Sequence, residues 1–268
     1  MKYYDPSRHQ LIYLESLATP EYWDEHWQGL NSRHINLTGV TNTFVTRETR
    51  KYILPHDGFI LEGGCGRAQH VSALVSNGYQ CIGIDSAPET IRWVNTTFPA
   101  LDVRLGDVTH TDFPDHFFVG YWSLGLIEHF WQGYECLINE AARIIRPGGY
   151  FFITFPYMSP LRKWKALTKQ YQEWTNDTCP VDFYQYALDH QIVIKAIIGH
   201  GFTLKSARPF DGIKGLKSEI TWLHQPLQRL YDDRNQAFLV RATRFMISEL
   251  LAILAGHTML LVFQRNLL

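Results

Sequence analysis

The sequence predicts an α/β fold, a parallel sheet with helices on both faces. Three observations carry this. From Phe59 to Phe155, short apolar runs alternate with segments of helical spacing. The first apolar run, Phe59-Ile60-Leu61-Glu62, ends in a glycine cluster that opens directly into a helical pattern. The chain has 268 residues and 46% hydrophobic content, enough for a sizeable core without staples.

The elements follow in order. The first 55 residues are aromatic-rich (Tyr22, Trp23, Trp27) and read as a helical lid ahead of the first strand, with the main domain at 56–268. After the Phe59 strand, a helical pattern begins at Val71. Cys81-Ile82-Gly83-Ile84 is the second strand, and Pro88 sits where a helix can start. Val103-Arg104-Leu105 is a third strand and Phe117 to Trp122 a fourth. Gln132 to Ile145 has helical spacing, closed by Pro147-Gly148-Gly149, and Tyr150 to Phe155 is a fifth strand. Beyond Pro156, Leu161 to Trp174 and Leu188 to Ile198 read as helices, Phe202 to Lys205 as a strand, 215–254 as two or more helices, and Thr258 to Phe263 as a closing strand. Helical cap insertions are expected at about 157–200 and 210–255.

Composition narrows function. The 25 Lys and Arg against 26 Asp and Glu give a net charge of −1, so nucleic acid is not an expected partner. Cys65, Cys81, Cys136 and Cys179 show no C-x-x-C pair, which fits a reducing cytoplasm and no zinc site. His9, His26, His34, His56, His70 and His110 lack metal spacing, so no metal is expected. The apolar stretch from Phe245 to Phe263 is broken by Glu249, Gly256 and His257 and does not read as a membrane span. The N-terminus, Met1 to Pro6, lacks the apolar run of a secretory signal.

The most informative segment is Glu62-Gly63-Gly64-Cys65-Gly66-Arg67-Ala68, between a strand and a helix. Glycines there let backbone approach a ligand, and the helix N-terminus adds unpaired N–H groups. Asp85 ends the next strand, 19 residues after Gly66, where an acid can accept from both hydroxyls of a ribose. The plainer reading is a tight turn with Asp85 as a helix cap. The strand, helix and acid together favour nucleoside binding. A dinucleotide fingerprint would put its third small residue at Gln69, whereas this chain has Ala68.

That tighter loop resembles motif I of class I S-adenosylmethionine (SAM) dependent methyltransferases. Gly83-Ile84-Asp85-Ser86-Ala87-Pro88-Glu89 resembles their ribose segment, and Gly106-Asp107-Val108 their adenine segment. Ser123-Leu124-Gly125-Leu126-Ile127-Glu128-His129-Phe130 resembles the stretch after strand four, and Arg146-Pro147-Gly148-Gly149-Tyr150 the turn before strand five. The resemblance runs from about Tyr22 to Phe155 and, more weakly, to the last strand. It implies a Rossmann-like three-layer sandwich, a seven-stranded mostly parallel sheet with an antiparallel last strand and a helical cap. It also implies SAM as cofactor and S-adenosyl-L-homocysteine (SAH) as its product. The implied cofactor contacts are Glu62 at the amino end, Gly64, Cys65 and Gly66 under the methionine moiety, and Asp85 and Ser86 at the ribose. Asp107 and Val108 would meet the adenine, and Ser123 and Leu124 the sulfonium side. Two positions depart from the family. Ala68 replaces the usual Gly, tolerable if φ there is negative. Phe118-Val119-Gly120-Tyr121 lacks an acid common early in strand four, which argues against assuming acid- or metal-dependent chemistry.

His129 is the candidate base near the methyl; its plainer role is bonding a backbone carbonyl of the loop. Tyr184 and Tyr186, flanking Gln185, either orient the acceptor or share one packed strand face. Trp23 and Trp27, four apart, fall on one helix face and either cover the cofactor or pack into the domain. Arg33 is a candidate for the cofactor carboxylate. In the 210–255 segment, Lys214, Lys217, Arg229 and Arg234 balance Asp211, Glu219, Asp232 and Asp233, which reads as a solvated helical cap. Its apolar residues suit a substrate pocket or a homodimer contact.

The expectation is methyl transfer to O or N of a small-molecule, carbohydrate or lipid-precursor acceptor. The rivals are a nicotinamide-dependent oxidoreductase and a non-catalytic SAM- or SAH-binding protein.

Overall fold

Adjacent residues on the central strands serve opposite faces of the main sheet. Ile60, Trp122 and Phe152 pack on one side with Val71, Leu74, Ile91 and Val94. Leu61, Tyr121 and Phe151 pack on the other with Leu137, Ile138, Val193 and Ile197. Burial on both faces explains why these strands are continuous apolar runs without polar alternation.

The computed structural model describes residues 1–29, 43–176, 178–232 and 238–267. Arg33, His34, Asp233 and Arg234 lie outside the described residues. The strands are β1 (Lys2–Asp5), β2 (Gln10–Leu14), β3 (Phe59–Gly63), β4 (Gln80–Asp85), β5 (Asp102–Leu105), β6 (Phe118–Leu124), β7 (Ile145–Pro156), β8 (Gln172–Glu173), β9 (Phe183–Ala187), β10 (Phe202–Phe210) and β11 (Thr258–Arg265). The helices are α1 (Pro20–Gly29), α2 (Phe44–Thr49), α3 (Gln69–Val75), α4 (Pro88–Thr97), α5 (Glu135–Ile144), α6 (Pro160–Leu167), α7 (His190–Gly199), α8 (Gly212–Glu219), α9 (His224–Asp232) and α10 (Phe238–Ala255).

The seven-stranded sheet has the order β10-β11-β7-β6-β3-β4-β5. From β7 to β5 every neighbouring pair is parallel. β11 lies antiparallel between β7 and β10, as the sequence predicts for the last strand.

Four expectations need correction. The first 14 residues are not helical: β1 and β2 form a hairpin that enters a second sheet of order β8-β1-β2-β9. The predicted helix from Leu161 to Trp174 stops at Leu167, and Gln172–Glu173 pairs with β1. Thus the 157–200 insertion is only partly helical, because β8 and β9 complete that second sheet. Strand five starts five residues early, so Pro147-Gly148-Gly149 lies inside β7. Finally, the cap charges are not all solvated. Glu219 is buried and accepts from Arg162 Nε at 3.0 Å, Lys2 Nζ at 3.0 Å, Lys165 Nζ at 3.1 Å and the Tyr171 hydroxyl at 2.6 Å. This network ties β1, α6 and α8 together. Charge counting along the sequence cannot reveal it, because the partners come from three separate segments.

Candidate functional site

The C-terminal ends of the parallel strands converge on a cavity of about 370 Å³. It takes Gly64 from the loop after β3, Asp85 and Ser86 from the end of β4, Gly106, Asp107 and Val108 from the turn after β5, and Leu124 from the end of β6. Trp23 and Trp27 of α1, with His129, complete it. This is the position at which open parallel sheets bind ligands. A neighbouring cavity of similar volume shares Trp27, Gly64 and Leu124 and adds Glu62 and Cys65.

The glycine loop is shaped for close approach. Gly64 and Gly66 have φ of +69° and +49°. Trp27 lies against Gly66 so closely that a Cβ there would be 2.5 Å from its indole ring. Gly66 N–H and Ala87 N–H both donate to the Asp85 carboxylate, at 2.8 and 2.9 Å. Asp85 therefore braces the loop while lining the cavity, and its remaining lone pairs are what a ribose diol would use. Burial raises its pKa, and the Ala87 and Gly66 N–H bonds oppose that shift. Ala68 closes the loop at φ +58°, so the condition of a negative φ is not met. The left-handed conformation of an alanine costs about 1–2 kcal/mol.

Glu62 is 2% exposed, its Oε2 has no hydrogen-bond partner among the described residues, and burial pushes its pKa up to about 8. A buried polar atom without a partner is costly, and it marks a place where a ligand's donor fits. Asp107 is exposed and its Oδ1 accepts from Thr109 N–H and Oγ1, both at 2.8 Å. Ser123, the residue before Leu124, is not among the residues that line the cavity; it is wholly buried, with its hydroxyl unpartnered among the described residues.

His129 follows β6 in a short 3₁₀ turn. Its Nδ1 lies 2.7 Å from the Tyr184 carbonyl. A carbonyl only accepts, so Nδ1 carries the proton and Nε2 keeps its lone pair. Burial lowers the pKa to about 4, opposed by the bond to Tyr184, so the ring is neutral at physiological pH. The histidine thus bonds a backbone carbonyl, that of Tyr184 in β9 rather than one of its own loop, and it also lines the cavity.

The two tyrosines separate. The β2–β9 register pairs Tyr13 with Gln185 and Leu14 with Phe183, so Tyr184 is the extra residue of a bulge. Its ring meets His129 and Tyr22, at 5.2 and 5.8 Å between centroids. Tyr186 stacks on Trp131 and its hydroxyl donates to the Trp131 carbonyl at 3.2 Å. It lines a different cavity of about 390 Å³ with Arg8 and Phe130, and is not brought to the glycine loop.

Sequence reasoning missed Asp24. This α1 carboxylate accepts from Glu89 N–H at 3.2 Å and from Thr90 N–H and Oγ1 at 2.8 Å, capping α4. The residue at the local cap position is Ala87, which offers no side-chain acceptor. No nearby signal could identify a cap supplied 65 residues upstream.

Residues 61–153 match the family described as a methyltransferase domain. A probable SAM-dependent methyltransferase of Mycolicibacterium smegmatis is 29% identical over 97 residues, which cover 36% of this chain and 37% of the relative's length. A methyltransferase from Haloferax volcanii, solved in complex with the Trm112 methyltransferase activator, superposes with a TM-score of 0.57 at 16% identity, covering 92% of this chain and 98% of that one. A SAM-dependent methyltransferase from Mesorhizobium loti gives 0.55 at 14% identity, over 85% of this chain and 100% of that one. Residues 61–153 are thus similar to a methyltransferase domain, and the chain around them shares the fold of these SAM-dependent methyltransferases.

Proposed function

We propose that the chain is a SAM-dependent methyltransferase acting on an oxygen or nitrogen of a small-molecule, carbohydrate or lipid-precursor acceptor. The observation that carries this reading is that Gly64, Asp85, Asp107 and Leu124, from four strand ends, line one cavity. The positive-φ glycines and the unpartnered Glu62 oxygen suit an amino-acid tail, and Asp85 suits a ribose. The cofactor, when bound, supplies an activated methyl.

The protein's own work is positioning. Asp85 and the glycine loop would fix the cofactor, and Trp23 and Trp27 on α1 would act as a lid that excludes water. Asp24 holds that helix to α4. His129 Nε2, unprotonated at neutral pH, would accept the acceptor's proton, with Tyr184 fixing the imidazole through its carbonyl. Tyr186 would shape the adjoining cavity, across Phe130, which borders both spaces.

Calorimetry with SAH tests the pocket. Asp85→Ala should weaken binding by about 1.5–3 kcal/mol, through lost bonds to a charged group. Equal affinity would contradict the ribose role. His129→Ala should leave SAH affinity unchanged and slow methyl transfer about 10²-fold or more. Acceptor discovery uses labelled SAM with a metabolite extract. Retained NAD binding without SAH binding would overturn the reading.

No helix among the described residues is long and apolar enough to cross a membrane. The four free cysteines support a cytoplasmic assignment. α10 leaves Phe245, Met246, Leu250, Ile253 and Leu254 exposed, which supports a homodimer through the cap; light scattering of Leu250→Glu against the parent chain measures it.

A further inference from the structure

The cavity of about 390 Å³ that Tyr186 lines adjoins the cofactor cavity, and Phe130 lines both. One wall is aromatic: Trp131 and Tyr186 stack with ring centroids 5.7 Å apart. Three charged side chains also line it, Arg8, Glu135 and Asp189. They come from the β1–β2 turn, the first residue of α5 and the cap of α7.

Their charges are not equally available. Asp189 is spent: it accepts from Lys163 Nζ at 2.8 Å and from the Gln191 N–H at 2.9 Å, and His190 stands 3.8 Å away. Arg8 and Glu135 form no ion pair among the described residues, with each other or with any other side chain. Asp5, three residues before Arg8, is taken up by the turn itself. Its Oδ1 accepts from Ser7 N–H at 2.9 Å, the Ser7 hydroxyl at 2.6 Å and Arg8 N–H at 3.3 Å, and its Oδ2 from Gln10 Nε2 at 3.4 Å. Those bonds hold the turn so that the Arg8 guanidinium reaches the Tyr186 hydroxyl. Glu135 is folded over Gly133, which also lines the cavity: any Cβ on that glycine, at φ +104°, would collide with Glu135 Oε2.

The cavity thus presents one unspent cation and one unspent anion, both open to solvent, along an aromatic wall. A lone anion would be drawn to one and repelled by the other, and a lone cation likewise, whereas a molecule bearing both charges satisfies both. A guanidinium suits a carboxylate, and a carboxylate beside aromatic faces suits an ammonium.

We infer, resting on the methyltransferase reading, that the acceptor carries an α-amino-acid head group, its carboxylate received by Arg8 and its ammonium by Glu135. The head group is a handle, not the site of reaction. Because the cavity holding His129 lies across Phe130, the oxygen or nitrogen that takes the methyl belongs to the acceptor's side chain, which passes Phe130. Arg8 and Glu135 are then specificity-determining residues, and the β1–β2 hairpin brings Arg8 to the site.

The test incubates the full chain with labelled SAM and a metabolite extract, against a control without the chain. The chain-dependent product should bind a cation exchanger at pH 2 and an anion exchanger at pH 10, as an amino acid does. With its unlabelled acceptor purified, Arg8→Gln and Glu135→Gln should each raise KM at least tenfold, with a smaller effect on kcat, because the handle is held alike before and during transfer. SAH affinity should be the same in both variants and the parent chain, which also reports that the variants fold. A product missed by either exchanger, or an unchanged KM in either variant, overturns the inference. Loss of SAH binding in the parent chain would instead defeat the methyltransferase reading itself, so the two failures are distinguishable.

Discussion

Glu219 and Glu128 are both glutamates with almost no solvent exposure, yet their surroundings push them in opposite directions. Glu219 receives donors from Arg162, Lys2, Lys165 and Tyr171, and these hold its pKa down to about 2 against the opposing effect of burial. Glu128 is pushed up to about 8 by burial, opposed only weakly by its own backbone N–H and Lys214, and Glu62 at the glycine loop is pushed up to about 8 by burial against the Val71 N–H. A buried carboxylate surrounded by donors stabilises the fold. One left unpartnered beside a cavity is a cost the fold carries, and such costs concentrate where ligands bind.

The largest expected effect breaks the first half of that contrast. Glu219→Ala strands the wholly buried Arg162 without its carboxylate and should destabilise the chain by about 3–5 kcal/mol in denaturant melts. Glu128→Gln, which keeps shape and removes a titration, should cost far less.

The pH dependence sharpens the contrast further, with opposite signs. Glu219 has a folded pKa below its ordinary 4.5, so its contribution is complete above pH 4.5 and is lost as pH falls through about 2. Glu62 and Glu128 have folded values above 4.5, so theirs is complete below pH 4.5 and is lost as pH rises through about 8. Melting curves from pH 4 to 9 should therefore show stability falling across the upper range, less steeply in Glu128→Gln.

Asp24→Ala, which uncaps α4 and frees α1, should cost about 0.5–2 kcal/mol and speed SAH release in stopped-flow fluorescence. The smallest effect is a gain. Ala68→Gly relieves a left-handed alanine, partly offset by unfolded-chain entropy, and should stabilise by about 0.5–1 kcal/mol.

The sequence was most legible where structure is local. The strand–glycine–helix passage around Gly64, the acid ending β4 and the turn at Gly106 are each written within a few residues, and the structure brings them to one cavity. The antiparallel last strand was legible too, through the family resemblance. Long-range pairing was not. The β1–β2 hairpin is short and aromatic, and it becomes sheet only because β9, some 170 residues on, offers an edge. Glu219 and Lys2 look like surface charges until α6 and β1 close over them. Asp24 caps a helix from a distance, and its own neighbours give no hint of that. Periodicity reports what a segment can bury, while partners from elsewhere decide what it does bury.

The surplus residue in β9 gives one short segment two outlooks. Regular pleating would have sent the rings of Tyr184 and Tyr186 the same way, whereas the bulge aims one at His129 and the other at Trp131. Removing a single amino acid here would do more than shorten a strand. It would return both rings to one face and take one of them from the neighbour it now meets, His129 or Trp131.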